Sequence, residues 1–269
     1  MLYHYFSYNL TKMMDTHKME FNFMKQRIVV MLVMLFSIIN ASGVDQGIEA
    51  INQKDYEKAF NYFEEACNDG YHQGCYNLGI MYEKGEGIKQ DLSKALKLYT
   101  NSCEAGASNA CNNLGVFYSK GIIVKKNLLK AVDLYQKSCS FGYMQGCFNL
   151  AIAYEGGLGV KQDLLKAIEL YSEGCSKNNA YSCHNLGVIY TYGKGVEQDY
   201  TKASKFYLKA CEGGDPTGCN NLGVLYKQGL GVSQSDEKAI EYYVKACNLG
   251  YEDGCYNLGF LYAKKHISK

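Results

Sequence analysis

The amino-acid sequence predicts an all-α fold, a right-handed superhelical solenoid of α/α repeats with one disulfide in each repeat. Twelve cysteines form six pairs, each with seven residues between its members, and each pair lies 36 residues after the previous one. Columns of Leu, Tyr, Ala and Asn recur with the same period. A fixed period in the range of roughly 20 to 50 residues is typical of solenoids and repeat arrays. The six pairs are Cys67 with Cys75, Cys103 with Cys111, Cys139 with Cys147, Cys175 with Cys183, Cys211 with Cys219, and Cys247 with Cys255.

The first cysteine of each pair lies in the last turn of a predicted helix, which we call helix B. In the second repeat the spacing of apolar side chains predicts this helix from about Leu92 to Cys103. Asp91 precedes it, where a short side-chain acceptor satisfies free backbone N–H groups of the first turn. The equivalent N-cap positions also carry good capping residues, namely Asp55, Asn127, Asp163, Asp199 and Ser235. Gly106 follows the helix and suits a left-handed C-terminal turn.

A second predicted helix, which we call helix A, contains the second cysteine of each pair. Pro216, the only proline of the chain, marks its first turn in one repeat, because proline is favoured at the first helical position. Glycine turns such as Gly85-Glu86-Gly87 then connect helix A to the next helix B. These patterns predict an N-terminal capping repeat at 44–71, five 36-residue repeats at 72–251 and a C-terminal capping helix at 252–269.

The N-terminal segment has the pattern of a secretory signal peptide. Two basic residues precede a mostly apolar run from Ile28 to Ile39, and a small-x-small end at Gly43 follows. The run is shorter than the roughly 20 residues that a membrane-spanning helix needs. We therefore expect a signal peptide at 1–43 with cleavage near Gly43, and a start at Met24 rather than Met1 would give it a more ordinary length.

The predicted compartment and the charge both limit the range of partners. A cleaved signal peptide makes the protein secreted or periplasmic, without stable membrane insertion after cleavage; an uncleaved anchor is the alternative. The net charge is +1 and the only arginine, Arg27, lies within the signal segment. Because phosphate recognition and base readout depend on arginine and on basic patches, we expect no nucleic-acid partner.

The repeat pattern resembles a known family. It has the form A-x3-Y … C-x7-C-x-N-L-G-x2-Y-x2-G-x-G-[IV], which is similar to Sel1-like repeats, relatives of the tetratricopeptide repeat. The cysteine pair in every repeat resembles the Helicobacter cysteine-rich protein family. This resemblance covers about residues 44–269 and implies β-lactam binding, with β-lactamase activity toward penicillins and cephalosporins.

Repeat symmetry favours a disulfide within each C-x7-C pair. A short connection brings the end of helix B close to the start of the next helix A, within disulfide reach. The family resemblance implies the same pairing. Zinc sites usually contain C-x2–4-C pairs, and the chain has no C-x2-C and no cluster among its five His, so we expect no metal and no cofactor.

One motif could carry catalysis. Ser235 and Lys238 form a Ser-x-x-Lys, the spacing that places a lysine amine beside the nucleophile of penicillin-binding enzymes. The structural interpretation competes with this one, because Ser235 occupies the N-cap column and Lys238 belongs to a column that is Lys in every repeat. The companion Ser-Asp-Asn and Lys-Thr-Gly elements are missing.

A variable face of helix A is the predicted binding surface. Helix A is expected to line the concave side of such a solenoid, and one stripe on it varies between columns of fixed Cys and Asn. Aromatic and amide side chains there suit sugars, peptides or partner loops, and solvated drift is the competing interpretation. The candidates are Gln73, Tyr76, Asn109, Asn112, Gln145, Phe148, Tyr181, His184, Asn220 and Tyr256.

Two classes of function remain. The family resemblance implies a β-lactam partner. The residues themselves also fit a non-enzymatic scaffold that holds a cell-wall peptide or glycan, or a host or partner protein, along helix A. The fixed asparagine column, represented by Asn77, is expected to be structural, with its amide hydrogen-bonded to backbone between helices.

Overall fold

The computed structural model describes residues 43–267, and within them every regular element is a helix. The predicted all-α fold of paired helices with one disulfide per repeat is confirmed. The predicted signal peptide lies outside the described residues, except for its last residue. The chain forms two compact units, one ending at Leu98 and one beginning at Tyr99.

The helices of the first unit are α1 (43–52), α2 (Tyr56–Asn68), α3 (His72–Lys84) and the first part of α4 (Leu92–Glu104). The second unit contains the end of α4 followed by α5 (Ser108–Lys120), α6 (Leu128–Ser140), α7 (Met144–Gly156), α8 (Leu164–Ser176), α9 (Ala180–Tyr192), α10 (Tyr200–Glu212), α11 (Pro216–Gln228), α12 (Asp236–Asn248) and α13 (Glu252–Ile267). Even-numbered helices from α2 onward are helices B, and odd-numbered helices from α3 onward are helices A.

The ends of helix B follow the predicted capping chemistry. The Asp163 carboxylate accepts a hydrogen bond from the backbone N–H of Lys166 at 3.0 Å, and each equivalent N-cap residue accepts from the N–H three residues on. At the C-terminal end, Gly106 has a φ of 97° and Asn178, its equivalent two repeats later, has 62°. Glycine and asparagine are the residues that adopt this left-handed conformation most readily.

The first unit has its own core. Phe63 and Met81 are buried at its centre, together with Leu78 and small residues of α1 and α2. A Cβ on Gly47 would overlap the Phe63 ring, so the glycine lets α1 approach α2 closely.

The second unit has a tyrosine from each helix B in its interior. These tyrosines are Tyr99, Tyr135, Tyr171, Tyr207 and Tyr243. Alanines on the same helices are fully or almost fully buried, and small residues there let neighbouring helices pack closely. Buried tyrosines normally need a partner for the hydroxyl, and the Tyr171 hydroxyl has one in Glu155 of the preceding helix A.

A disulfide joins the end of each helix B to the start of the next helix A. The bridges have Cα–Cα distances from 4.5 to 4.7 Å and agree with all six predicted pairs. They join Cys67 to Cys75, Cys103 to Cys111, Cys139 to Cys147, Cys175 to Cys183, Cys211 to Cys219, and Cys247 to Cys255.

Each bridge closes a loop of about nine residues, worth roughly 2–3 kcal/mol in the chain-entropy model. No cysteine of the described residues is left as a free thiol. The second cysteine of each pair lies in the first turn of its helix A, as the sequence predicts. The bridges therefore fix the start of every helix A relative to the preceding helix B.

Candidate functional site

The side chains of Ser235 and Lys238 have different partners. The Ser235 hydroxyl caps α12 by accepting from the Lys238 backbone N–H at 3.2 Å, and it donates to Glu237 Oε2 at 3.2 Å. The Lys238 amine lies over the ring of Tyr226, 5.0 Å from its centroid. The lysine amine is thus directed at an aromatic ring, and the serine performs the capping role of its column.

The same lysine–tyrosine contact recurs at the equivalent position of other repeats, at 4.1 to 5.1 Å from Nζ to the ring centroid. The pairs are Lys94 with Tyr82, Lys130 with Tyr118, Lys166 with Tyr154, and Lys202 with Tyr190. A cation over a tyrosine face is attracted by the negative face of the ring, and the contact is weak where both groups are exposed to solvent. This repetition supports the structural interpretation of Lys238.

Two of the candidate binding residues are buried between neighbouring helices A. The carboxamide oxygen of Asn112 accepts from Asn149 Nδ2 at 2.7 Å, and that of Asn220 accepts from Asn257 Nδ2 at 2.9 Å. Two members of the fixed asparagine column, Asn149 and Asn257, therefore join neighbouring repeats, but they bond to a side-chain amide and not to the backbone. Asn112 and Asn220 themselves are removed from the surface that a partner could touch.

The remaining amide candidates make local contacts. Gln145 Nε2 lies 3.5 Å from Asn149 Oδ1, and Gln73 Nε2 lies 3.4 Å from Asn77 Oδ1 in the first unit. Asn109 accepts from the Ala110 N–H at 2.9 Å. These side chains lie at the starts of their helices A and stay candidates for a partner contact.

An aromatic cluster lies on α7, α8 and α9. The Phe148 ring is 5.9 Å from the ring of Tyr171 and 6.1 Å from that of Tyr181, both tilted. Tyr171 is fully buried, Phe148 is half-buried and Tyr181 is 58% exposed. The cluster therefore leads from the core to the solvent, with Tyr181 as its accessible end.

The Tyr171 hydroxyl contacts an ion pair formed by Glu155 and Lys194. It donates to Glu155 Oε2 at 2.9 Å, and the Lys194 amine lies 3.2 Å from Glu155 Oε1. Burial, followed by the Glu155 carboxylate, raises the pKa of Tyr171 far above its ordinary value. The hydroxyl stays protonated and acts as a donor across the whole physiological range.

His184 is held by two residues of the next helix A. Its Nδ1 lies 2.8 Å from Asp215 Oδ2 and 3.0 Å from Thr217 Oγ1, and the Thr217 hydroxyl donates to Asp215 Oδ1 at 2.7 Å. The ring also meets the edge of Tyr207 at 5.8 Å between centroids. Because the carboxylate accepts, Nδ1 carries a proton, and Nε2 makes no hydrogen bond to any other described residue.

Asp215 is buried and serves as the N-cap of α11, where it also accepts from the Gly218 N–H at 2.8 Å. Burial acts to raise the pKa of Asp215, but the hydrogen bonds from His184 and Thr217 outweigh it, so the pKa lies below its usual value. The carboxylate is therefore ionised at neutral pH and fixes the orientation of the imidazole.

Sequence reasoning identified His184 but missed Asp215 and Thr217 as its partners. They lie 31 and 33 residues further along the chain, close to one repeat period. Neighbouring helices A bring positions about one period apart close together. A search for polar residues roughly one period after His184 could therefore have found both partners.

The Sel1 repeat family profile matches residues 44–71, 72–106, 108–142, 145–179, 180–215 and 216–251. The chain belongs to the Sel1 repeat family. Sel1 repeat proteins are typically protein-interaction scaffolds. The match spans most of the chain, so the resemblance seen in the sequence is confirmed.

Solved Sel1-type structures share the fold. A protective antigen of uropathogenic Escherichia coli, c5321, superposes with a TM-score of 0.74 at 29% identity, covering 82% of this chain and 48% of that one. A Sel1 repeat protein from Oxalobacter formigenes also gives 0.74, at 24% identity, covering 82% of this chain and 88% of that one.

Curated relatives match over short stretches. "Putative beta-lactamase HcpE" of Helicobacter pylori is 49% identical over 45 residues, 17% of this chain and 13% of the relative. "Putative beta-lactamase HcpC" of the same species is 38% identical over 47 residues, 18% and 16% of the two chains. The matched stretches thus span less than a fifth of these relatives.

The described residues also bear on compartment and metal binding. Within residues 43–267, no helix has the length and apolar character needed to cross a bilayer. No three His, Cys, Asp or Glu side chains of the described part come together as metal ligands. Structural disulfides persist in oxidising compartments, so the six bridges indicate an extracellular or periplasmic protein.

Proposed function

We propose that this protein is a non-enzymatic scaffold that binds a peptide segment of a partner protein on the helix-A face of its second unit. Tyr181 carries the proposal: a tyrosine that is 58% exposed on a helix whose first turn is anchored by a disulfide. Its ring also packs against Phe148, with 6.1 Å between the ring centroids.

The chemistry around Tyr181 suits recognition of a peptide. Tyrosine is enriched at binding hot spots because it offers a large apolar face and a hydroxyl at little entropic cost. His184 follows one helical turn later, so both side chains lie on the same face of α9. With its Nδ1 held by Asp215, the imidazole leaves Nε2 for a polar contact with a partner.

The test is selection of peptides from a displayed random library on the oxidised chain, followed by affinity measurement with one selected synthetic peptide. Tyr181→Ala should weaken binding at least about tenfold, the effect of losing a hot-spot tyrosine. Phe141→Ala is the matched control, because Phe141 is a comparably exposed aromatic (52%) at the end of α6, outside helix A. Equal losses in both variants, or no saturable peptide, would contradict the proposal.

Binding of β-lactams is the second candidate, and it is supported by the names of the H. pylori relatives. Because Ser235 caps a helix and Lys238 lies over Tyr226, we propose that any such binding occurs without turnover. Oxidised protein should neither hydrolyse a chromogenic cephalosporin nor gain mass as a covalent adduct. Hydrolysis proportional to protein concentration and abolished by Ser235→Ala would establish an enzyme, and hydrolysis that survives this change would place the chemistry elsewhere.

We also propose that residues 1–43 direct export and are removed near Gly43, and that 44–71 and 252–269 cap the repeat array at 72–251. The disulfides support export, since such bonds form in oxidising compartments. N-terminal sequencing of the protein from its native compartment should begin within a few residues of Val44. A mature chain that retains Ile28–Ile39 would contradict cleavage.

A further inference from the structure

A cavity of about 130 Å³ lies among α5, α6 and α7, entirely within the second unit. Its wall is mainly apolar, with Leu128 and Val132 from α6, Ile152 and Ala153 from α7, and Leu158 from the turn after α7. Ile152 and Leu158 are 37% and 45% exposed, so the cavity has an apolar rim that a ligand can reach from solvent.

One residue accounts for the space. Ala153 occupies a buried column of helix A in which every other repeat has a bulky side chain, namely Met81, Phe117, Ile189, Leu225 and Leu261. Interiors are otherwise packed close to crystal density, and a missing side chain leaves a void that the surroundings fill only in part. The alanine at position 153 therefore leaves space in this repeat that the bulky equivalent side chains occupy in the other repeats.

Two hydroxyl-bearing residues, Tyr135 and Ser119, also line the cavity. The Tyr135 hydroxyl donates to Ser119 Oγ at 3.1 Å, and the Ser119 hydroxyl donates to the Val116 carbonyl at 3.0 Å. Both hydroxyl protons are thus used, while the Tyr135 oxygen keeps a lone pair for a donor from a ligand. Burial raises the pKa of Tyr135, which keeps this oxygen a neutral phenol.

We propose that this cavity is a binding site for a small molecule with one phenyl-sized or branched aliphatic group and one hydrogen-bond donor. An apolar cavity of about 150 Å³ in another protein binds benzene, so the volume matches a single ring. The donor would reach Tyr135 Oη while the apolar group fills the place of the missing side chain at Ala153. This site does not depend on the peptide-binding function proposed above.

The oxidised chain is titrated with phenol and, separately, with benzene. Binding is measured from the methyl NMR signals of Val132, Ile152 and Leu158. Both probes should shift these signals saturably. Phenol should bind roughly two- to tenfold more tightly, because it adds one buried hydrogen bond. Absence of saturation for both probes, or shifts confined to methyl groups away from the cavity, would overturn the proposal.

Variants test the same site. Ala153→Leu restores the side chain found in α11 and α13, and it should abolish the binding of both probes. Tyr135→Phe should reduce phenol to the affinity of benzene. Ala263→Leu, the same change at an exposed position of α13, should leave both affinities within twofold.

A smaller change covers the case in which Ala153→Leu fails to fold. Ala153→Val should then weaken benzene binding several-fold in a folded chain. Unchanged probe binding in either variant at position 153 would show that the probes bind elsewhere.

Discussion

The junction between α5 and α7 and the junction between α9 and α11 occupy the same place in the repeat but use different chemistry. The first is closed by an amide pair, Asn149 to Asn112, and the second by the Asp215 carboxylate with His184 and Thr217. The helix lengths, the left-handed C-terminal glycines and the disulfides around the two are equivalent. The variable stripe of helix A therefore partly joins neighbouring repeats and is only partly exposed.

The charged junction should cost more to break than the amide junction. Asp215→Ala removes an N-cap and a buried ionised acceptor that serves His184, Thr217 and Gly218, so we expect a loss of about 2–4 kcal/mol in unfolding free energy. Chemical denaturation of the oxidised protein measures it. Asn179→Ala, which removes the N-cap of α9, is the control and should cost about 1 kcal/mol. Equal losses would mean that the contact with His184 adds nothing.

The amide junction is expected to be intermediate. Asn149→Ala leaves the Asn112 oxygen buried without its donor, at a cost of about 1–3 kcal/mol. A double-mutant cycle with Asn112→Ala should give a coupling of about 0.5–1.5 kcal/mol. Additive losses would show that the two amides stabilise the junction independently.

Acid should reduce the difference between wild type and Asp215→Asn. The pKa of Asp215 is held below its ordinary value of about 4, so its carboxylate contributes stability above that pH and loses it as pH falls through the lowered value. Denaturation between about pH 5 and pH 2 should show the free-energy difference shrinking toward the acid end. A difference that grows on acidification would reverse the assigned direction.

Substitution of Tyr181 should change stability less than substitution at either junction. Its ring is mostly exposed, so Tyr181→Ala should change the unfolding free energy by less than about 0.5 kcal/mol. A thermal melt beside that of Asp215→Ala makes the contrast direct. A loss above about 1 kcal/mol would show that Tyr181 stabilises the fold, against its proposed role as a binding residue.

Much of the scaffold could be predicted from the 36-residue period. Local chemistry alone predicts the helix caps, such as Asp91 and Asp163, and the left-handed residue Asn178. It also predicts all six cysteine pairs. These features depend on residues close in sequence, and a repeat alignment shows them directly.

The candidate surface was harder to predict, because its contacts join residues about one period apart. Asn112 and His184 occupy the same variable column, so the sequence predicted the same role for both. In the structure Asn112 is buried against Asn149, whereas His184 is held by Asp215. The column also gave no reason to examine Ala153, since a small apolar residue in a core position is ordinary until its bulky equivalents are compared.

The disulfides have a mechanical consequence. When a repeat is unfolded by a pulling force, the eight residue-to-residue steps between its two cysteines cannot extend. The bridge holds the two Cα atoms 4.5 to 4.7 Å apart. At about 3.4 Å for each extended residue, the unravelled repeat is shorter by roughly 20 Å than its reduced form. The length that each repeat adds to the chain when it unfolds under tension therefore depends on whether its one cysteine pair is oxidised or reduced.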